Sequence, residues 1–331
     1  MALLDRFTTG IGIDISQHHL RLAQVSLFGT VWNTHEIELP EGLIQDDAVL
    51  KPSELQTLIK QKLSRLSWIQ PGTPAVLLLP DSRVFYYGDL YPSSLKGSQL
   101  KAMVFEKAQK EIPLPFSQAI LTLSQGDRVE DQTRTTVYAV EREVIKGFTS
   151  LFSERLVRLI AVETNSKSVL RFVQKTIRSE HRHLLKQNNV FFLIDLGSSW
   201  MNASVYTKKG ACLYTRSIPY KQFTHEKRSS AKLPQTIVDS IAGVIDEIVL
   251  HFRQEGISLE CVLLSGVEAW DERFIAKPLS EEGTLSVIRV GDVLDVKTLT
   301  PKELHVFGAC IGAGIRAATP FIYNYQHNFL S

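Results

Sequence analysis

Cysteine is scarce in this chain: Cys212, Cys261 and Cys310 stand alone among 331 residues. Their spacing matches no metal-ligand pattern and their odd number leaves no complete pairing, so they fit a reducing compartment as small apolar side chains. Net charge is almost absent too; at +2, nothing global argues for nucleic acid as a partner. No uninterrupted apolar run approaches the roughly 20 residues that cross a bilayer. Residues 1–7 carry Asp5 and Arg6 and lack the apolar core of a signal peptide. No Walker loop, zinc motif or Ser/His/Asp triad is visible. What remains is an ordinary globular composition, 44% hydrophobic and 22% charged, with length for two or three subdomains. A soluble, cytosolic chain is expected.

Against these absences, one device is present twice. Gly12-Ile13-Asp14-Ile15-Ser16 runs on to Leu20-Arg21-Leu22-Ala23-Gln24-Val25. Leu193-Ile194-Asp195-Leu196-Gly197-Ser198-Ser199 runs on to Ala203-Ser204-Val205-Tyr206. Each is an apolar strand, an aspartate near its end, a tight polar turn and a second strand. Turns with glycine and small hydroxyl residues can present backbone N–H groups to phosphate oxygens, and a strand-end aspartate can hold magnesium. One copy also reads as an ordinary hairpin with a capping aspartate. Two copies half a chain apart point to a duplicated α/β fold, with both hairpins facing one cleft.

Strands are expected at 11–15, 20–27, 31–39 and 75–79. A helix is expected over 53–66, with Ser53 as N-cap and Leu55, Leu58, Ile59, Leu63 and Leu66 on one face. From about 82 the order becomes strand, helix, strand, strand, helix. It comprises a strand over 83–89, a helix over 98–110 with Leu100, Met103, Val104 and Ala108 inward, strands flanking a polar loop at 126–132, and a helix over 143–154. This reads as a small inserted α/β domain. The boundaries are set at 1–73 for the first lobe, 74–158 for the insert, 159–188 for the lobe's remainder and a connector, and 189–331 for the second lobe. The connector's Arg178, His181, Arg182, His183 and Lys186 read as a solvated basic face. In the second lobe Pro234 opens a helix closed by Gly256, with a stripe of Ile237, Ile241, Val244, Ile245, Ile248 and Phe252. A last helix over 302–317 carries Gly308, Ala309, Gly312, Ala313 and Gly314, small residues suited to close packing or to a nucleotide base.

The ordered set resembles PilM, the actin-like protein of type IV pilus assembly, and the cytoplasmic domain of its type II secretion counterpart GspL. It comprises Gly12-Ile13-Asp14 with Leu20-Arg21-Leu22, Ala161-Val162-Glu163 leading to Val169-Leu170-Arg171, Ile194-Asp195-Leu196-Gly197, Thr215-Arg216-Ser217-Ile218, Leu263-Leu264-Ser265-Gly266, and Gly308 to Arg316. The resemblance implies an actin-like fold of two RNase H-like lobes with an SHS2-like insert. It implies a cytoplasmic scaffold, peripheral on the inner face of the inner membrane. Its partners would be a bitopic assembly protein and the cytoplasmic assembly ATPase, with a homo-oligomer as a further option. It puts a nucleotide, if one binds, at Asp14, Ser16, Arg21, Asp195, Gly197, Ser198, Ser199, Ser265 and Gly266, with magnesium at Asp14 and Asp195. It puts a partner groove at Val76, Leu78, Val84, Tyr86, Leu159 and Ile160.

Departures from the pattern argue for a weak or vestigial nucleotide site and no bound cofactor. Ser16 and Arg21 replace the glycine and lysine common in such proteins, Met201-Asn202 replaces a threonine, and Val267-Glu268 replaces a second glycine. The stretch 221–232 connects directly where nucleotide-binding relatives carry a helical subdomain. The tail, Asn324 to Phe329, resembles the segment closing GspL-type cytoplasmic domains, and it also reads as a strand tucking Phe321, Tyr323 and Phe329 onto the core. The competing functions are a non-catalytic scaffold, an ATPase or small-molecule kinase using Asp14 and Asp195 with Mg-ATP, and an actin-like membrane tether. The last is disfavoured because residues 319–331 have no amphipathic stripe.

Overall fold

In a computed structural model of the chain, residues 9–152, 156–182, 190–220, 233–276, 285–319 and 328–330 are described. The chain divides into two units, Met1–Lys175 with Ala309–Ser331, and Thr176–Gly308.

The first unit is built on strands β1 (Thr9–Ile15), β2 (His19–Ser26), β3 (Val31–Glu38), β6 (Pro74–Leu79) and β10 (Arg158–Thr164), in the order β10-β6-β1-β2-β3. β1, β2 and β3 form an antiparallel meander, and β6 and β10 add in parallel. Two short strands, β4 (Ile44–Gln45) and β5 (Ala48–Val49), pair by themselves. Helix α1 (Pro52–Leu63) makes the crossover and buries Leu55, Ile59 and Leu63. Pro52 occupies its first turn, where a missing N–H costs nothing, so the N-cap is Lys51 and not the expected Ser53.

Between β6 and β10 lies the insert: β7 (Phe85–Pro92), α2 (Gly97–Glu111), β8 (Ala119–Val129), β9 (Gln132–Glu141) and α3 (Arg142–Thr149), with sheet order β7-β9-β8. Its core joins Tyr91, Leu100, Val104, Ala108, Val137 and Ala139. Three expectations change here. Met103 is 41% exposed rather than inward. The polar loop at 126–132 is mostly strand, because Glu130 takes the left-handed conformation (φ 52°) and closes a two-residue turn. And 74–79 is a fully paired strand of the lobe sheet, with Val76 and Leu78 wholly buried. The insert therefore starts after Leu79, and Val76 and Leu78 cannot line a groove. Asp81 fixes this junction: the Ser166 N–H (3.1 Å) and Oγ–H (2.6 Å) donate to it at the start of α4 (Asn165–Thr176).

The second unit repeats the first sheet's plan. Strands β11 (Val190–Leu196), β12 (Trp200–Thr207), β13 (Cys212–Pro219), β14 (Cys261–Ser265) and β15 (Ser286–Arg289) run in the order β13-β12-β11-β14-β15. Again a three-strand antiparallel meander is extended by two parallel strands. Helix α5 (Gln235–Gln254) follows Pro234, ends before Gly256 (φ 75°), and buries the whole predicted stripe. Short helices α6 (Arg273–Ala276) and α7 (Val290–Val293) flank β15.

The last helix, α8 (Pro301–Ala318), begins in the second unit and ends in the first. Ala309–Ser331, expected with the second lobe, groups with the first unit. Its small residues are used for packing. A Cβ on Gly12 of β1 would land on the Cys310 carbonyl, and one on Gly312 would land on the Ser168 carbonyl of α4. Only glycine lets these backbones approach so closely. The expected features at 1–7, 183–187, 221–232 and 321–327 lie outside the described residues. No described helix is long and apolar enough to cross a membrane.

Candidate functional site

Antiparallel pairing puts Asp14 directly across from Arg21, on the same face of the β1–β2 hairpin. The Arg21 Nη1 stands 3.7 Å from the Asp14 Oδ2, and its Nε–H donates to Glu36 on β3 at 2.7 Å. The Asn165 Nδ2–H reaches the other Asp14 oxygen at 3.5 Å. Burial pushes the Asp14 carboxyl above the usual carboxylate range, and Arg21 pulls it back only in part. Ser16 closes its own turn, since both its N–H (2.8 Å) and its hydroxyl (3.2 Å) donate to the His19 carbonyl. Of the three residues predicted here, Asp14 and Arg21 face each other across the hairpin, while Ser16 is spent on its own turn. A guanidinium already stands where a metal would approach Asp14, so this lobe's donor set does not fit a magnesium ion.

In the second unit, Asp195 pairs across the hairpin with Asn202 and lies in register with Ser265 on β14. The Gly197 N–H donates to the Trp200 carbonyl (2.9 Å) and closes the turn, and the Ser199 carbonyl accepts from the Tyr220 N–H (2.9 Å), which ties the loop to the end of β13. Gly266 adopts φ 92°, and a Cβ there would strike the Leu196 backbone. The Glu268 N–H donates to the Leu196 carbonyl at 3.0 Å. Asp195, Gly197, Ser198, Ser199, Ser265 and Gly266 therefore form one cluster around the end of β11. Its cross-strand partner Asn202 keeps a buried Oδ1 with no hydrogen bond.

Of the groove residues, Val84, Tyr86, Leu159 and Ile160 remain half-buried. Val84 leads into β7, an edge strand of the insert sheet, and Leu159 and Ile160 lie on β10, an edge strand of the lobe sheet.

Sequence reasoning missed a buried ionic cluster that unites three of the quoted motifs. Glu163 ends its motif on β10, Arg171 ends its motif on α4, and Arg316 ends its motif on α8. The Arg171 Nη1–H and Nη2–H donate to Glu163 at 2.5 and 2.7 Å, Arg316 donates to the same carboxylate, and Arg171 also donates to the Gly312 carbonyl at 3.1 Å. Burial alone would raise the Glu163 pKa, but the two guanidiniums outweigh it and hold it at about 2. Three charged residues closing three apolar segments were the available signal.

No protein-family model matches the chain, and no curated protein does. Among solved structures, a PilM-PilN type IV pilus biogenesis complex matches with a TM-score of 0.74 and 18% identity, over 94% of this chain and 99% of its own. The fold is actin-like, and it is the fold of PilM. At that coverage the likeness takes in both units. The cytoplasmic domain of EpsL, an inner membrane component of the type II secretion system of Vibrio cholerae, matches at TM-score 0.47 and 11% identity over 98% of each chain. A Bacteroides thetaiotaomicron protein of actin-like ATPase fold and unknown function matches at 0.47 and 10% identity, over 89% and 94%. These two weaker matches carry no weight beside PilM.

Proposed function

We propose that this chain is a non-catalytic, actin-like scaffold at the inner face of an inner membrane, serving type IV pilus assembly or type II secretion. It holds the cytoplasmic segment of a bitopic membrane protein and links it to the assembly ATPase. The observation that carries this reading is the PilM-like fold over nearly the whole chain. The Arg21–Asp14 pair supports its non-catalytic half. The partner segment is an extended peptide, which gains affinity from backbone hydrogen bonds to a sheet edge and specificity from side-chain pockets. Val84, Tyr86, Leu159 and Ile160 are the residues proposed to meet it.

The second reading, an Mg-ATP-dependent enzyme, draws on the matching positions of Asp14 and Asp195 in two sheets of one plan. Fold alone does not decide between them.

The test is capture of the membrane partner with and without the insert. Phe85 and Ala139 are cross-strand partners, so excising 86–138 removes most of the insert sheet while keeping β6 and α3. Loss of capture by a folded variant is expected. Full capture by that variant removes the insert from the groove and leaves only the β10 edge at Leu159 and Ile160 to hold the segment.

A further inference from the structure

Among the described residues β10 is an edge strand: it pairs with β6 on one side, and no described strand continues the sheet on the other. A row of unpaired N–H and C=O groups at such an edge is a template for an added segment. Here the chain's own tail fills it. The Val162 N–H donates to the Asn328 Oδ1 at 3.1 Å, and the Asn328 Nδ2–H reaches the Ile160 carbonyl at 3.4 Å. One carboxamide thus supplies an acceptor and a donor, as a strand's peptide unit would. The next residue continues the pattern, its Phe329 N–H donating to the Val162 carbonyl at 3.1 Å. The Leu330 N–H closes back onto the Asn328 Oδ1 at 3.1 Å, which sets the turn. The Phe329 side chain is 1% exposed.

We infer that the outer edge of β10 at Ile160–Val162 is a recognition site for an extended peptide carrying asparagine followed by an aromatic residue. In this chain Asn328 and Phe329 occupy it in cis, and a partner segment of that chemistry must displace them. The asparagine reads the two backbone groups and the aromatic ring fills the apolar seat. The site itself rests on the tail contacts alone; the displacing partner rests on the peptide-binding reading proposed above.

The test uses the full chain and its Asn328→Ala/Phe329→Ala variant, titrated with the synthetic peptide Gly-Gly-Asn-Phe-Leu-Ser and followed at the Val162 amide by NMR. The native chain should show no shift, because its tail competes. The variant should show a saturable shift and bind at least tenfold more tightly, while Gly-Gly-Ala-Ala-Leu-Ser leaves it unchanged. If the double variant does not fold, Asn328→Ala alone should speed Val162 amide exchange at least tenfold, with Asn-Phe peptide restoring protection. A folded variant whose Val162 ignores the peptide, or a native chain that responds equally, overturns the site. Capture of the membrane partner separates the two claims. A tenfold gain in the variant supports displacement, and an unchanged level overturns it while the scaffold reading stands. No capture by either chain removes the scaffold reading and leaves the peptide site.

Discussion

Arg21 faces Asp14 across the first hairpin with 3.7 Å between the guanidinium and the carboxylate. The equivalent partner of Asp195 in the second hairpin is the neutral Asn202. One fold plan therefore carries a built-in cation in one copy and an amide in the other. That asymmetry separates this chain from a symmetrical phosphate clamp.

The first prediction follows from that pair. Calorimetric titration of Mg-ATP should give binding weaker than about 1 mM, less than about 4 kcal/mol, and Asp195→Ala should leave it unchanged. A micromolar, magnesium-dependent affinity lost in Asp195→Ala would move the account to the enzyme reading.

Two buried groups set a pH dependence, each in its own unit. His305 is held at about 4, mainly by burial, below its ordinary 6.5. Unfolded, it takes a proton below 6.5 that the folded unit refuses until about 4, so stability falls as pH drops through that window. Glu163 at about 2, against an ordinary 4.5, contributes stability that is present above 4.5 and lost as pH falls toward 2. Each amounts to roughly 3 kcal/mol at full extent. Hydrogen exchange at stepped pH should show 176–308 loosening first. His305→Gln should flatten that first decline. Glu163→Gln should cost about 3–5 kcal/mol at neutral pH, because two buried guanidiniums lose their counter-charge.

Glycine substitutions should divide sharply. Gly12→Ala places a methyl on the Cys310 carbonyl, backbone against backbone, and should cost about 3 kcal/mol. Gly243 lies exposed in α5 with nothing near its Cβ direction, so Gly243→Ala should gain about 1 kcal/mol. Thermal melts of the two variants moving the same way would contradict the close α8–β1 packing.

Much of the fold was legible because period and turn chemistry are local. The alternation through 11–25, the Pro234-to-Gly256 helix with its six-residue stripe, and the β-α-β-β-α order of the insert all needed only neighbours in sequence. The failures needed distant ones. Pro74 to Leu79 reads as a buried strand, but which sheet buries it depends on β1 and β10. The small residues of 308–314 announce close packing without naming Gly12 and Ser168 as what they meet. Met103 sits at a helical spacing that would be inward, yet the insert is one sheet and one helix thick there and leaves it outside. At the candidate site, Asp14 and Arg21 were both visible, and counting register across the turn would have paired them. The Glu163, Arg171 and Arg316 cluster required tertiary structure.

On the proposed scaffold reading, the chain holds a membrane protein's cytoplasmic segment without using nucleotide. The direct measurement is affinity capture from detergent-solubilised membranes with and without Mg-ATP, followed by competition with a synthetic peptide of the captured protein's cytoplasmic segment. The account predicts a single-pass membrane protein, recovered equally in both conditions and released by the peptide. Recovery that depends on ATP, or a captured protein that the peptide does not release, would contradict it.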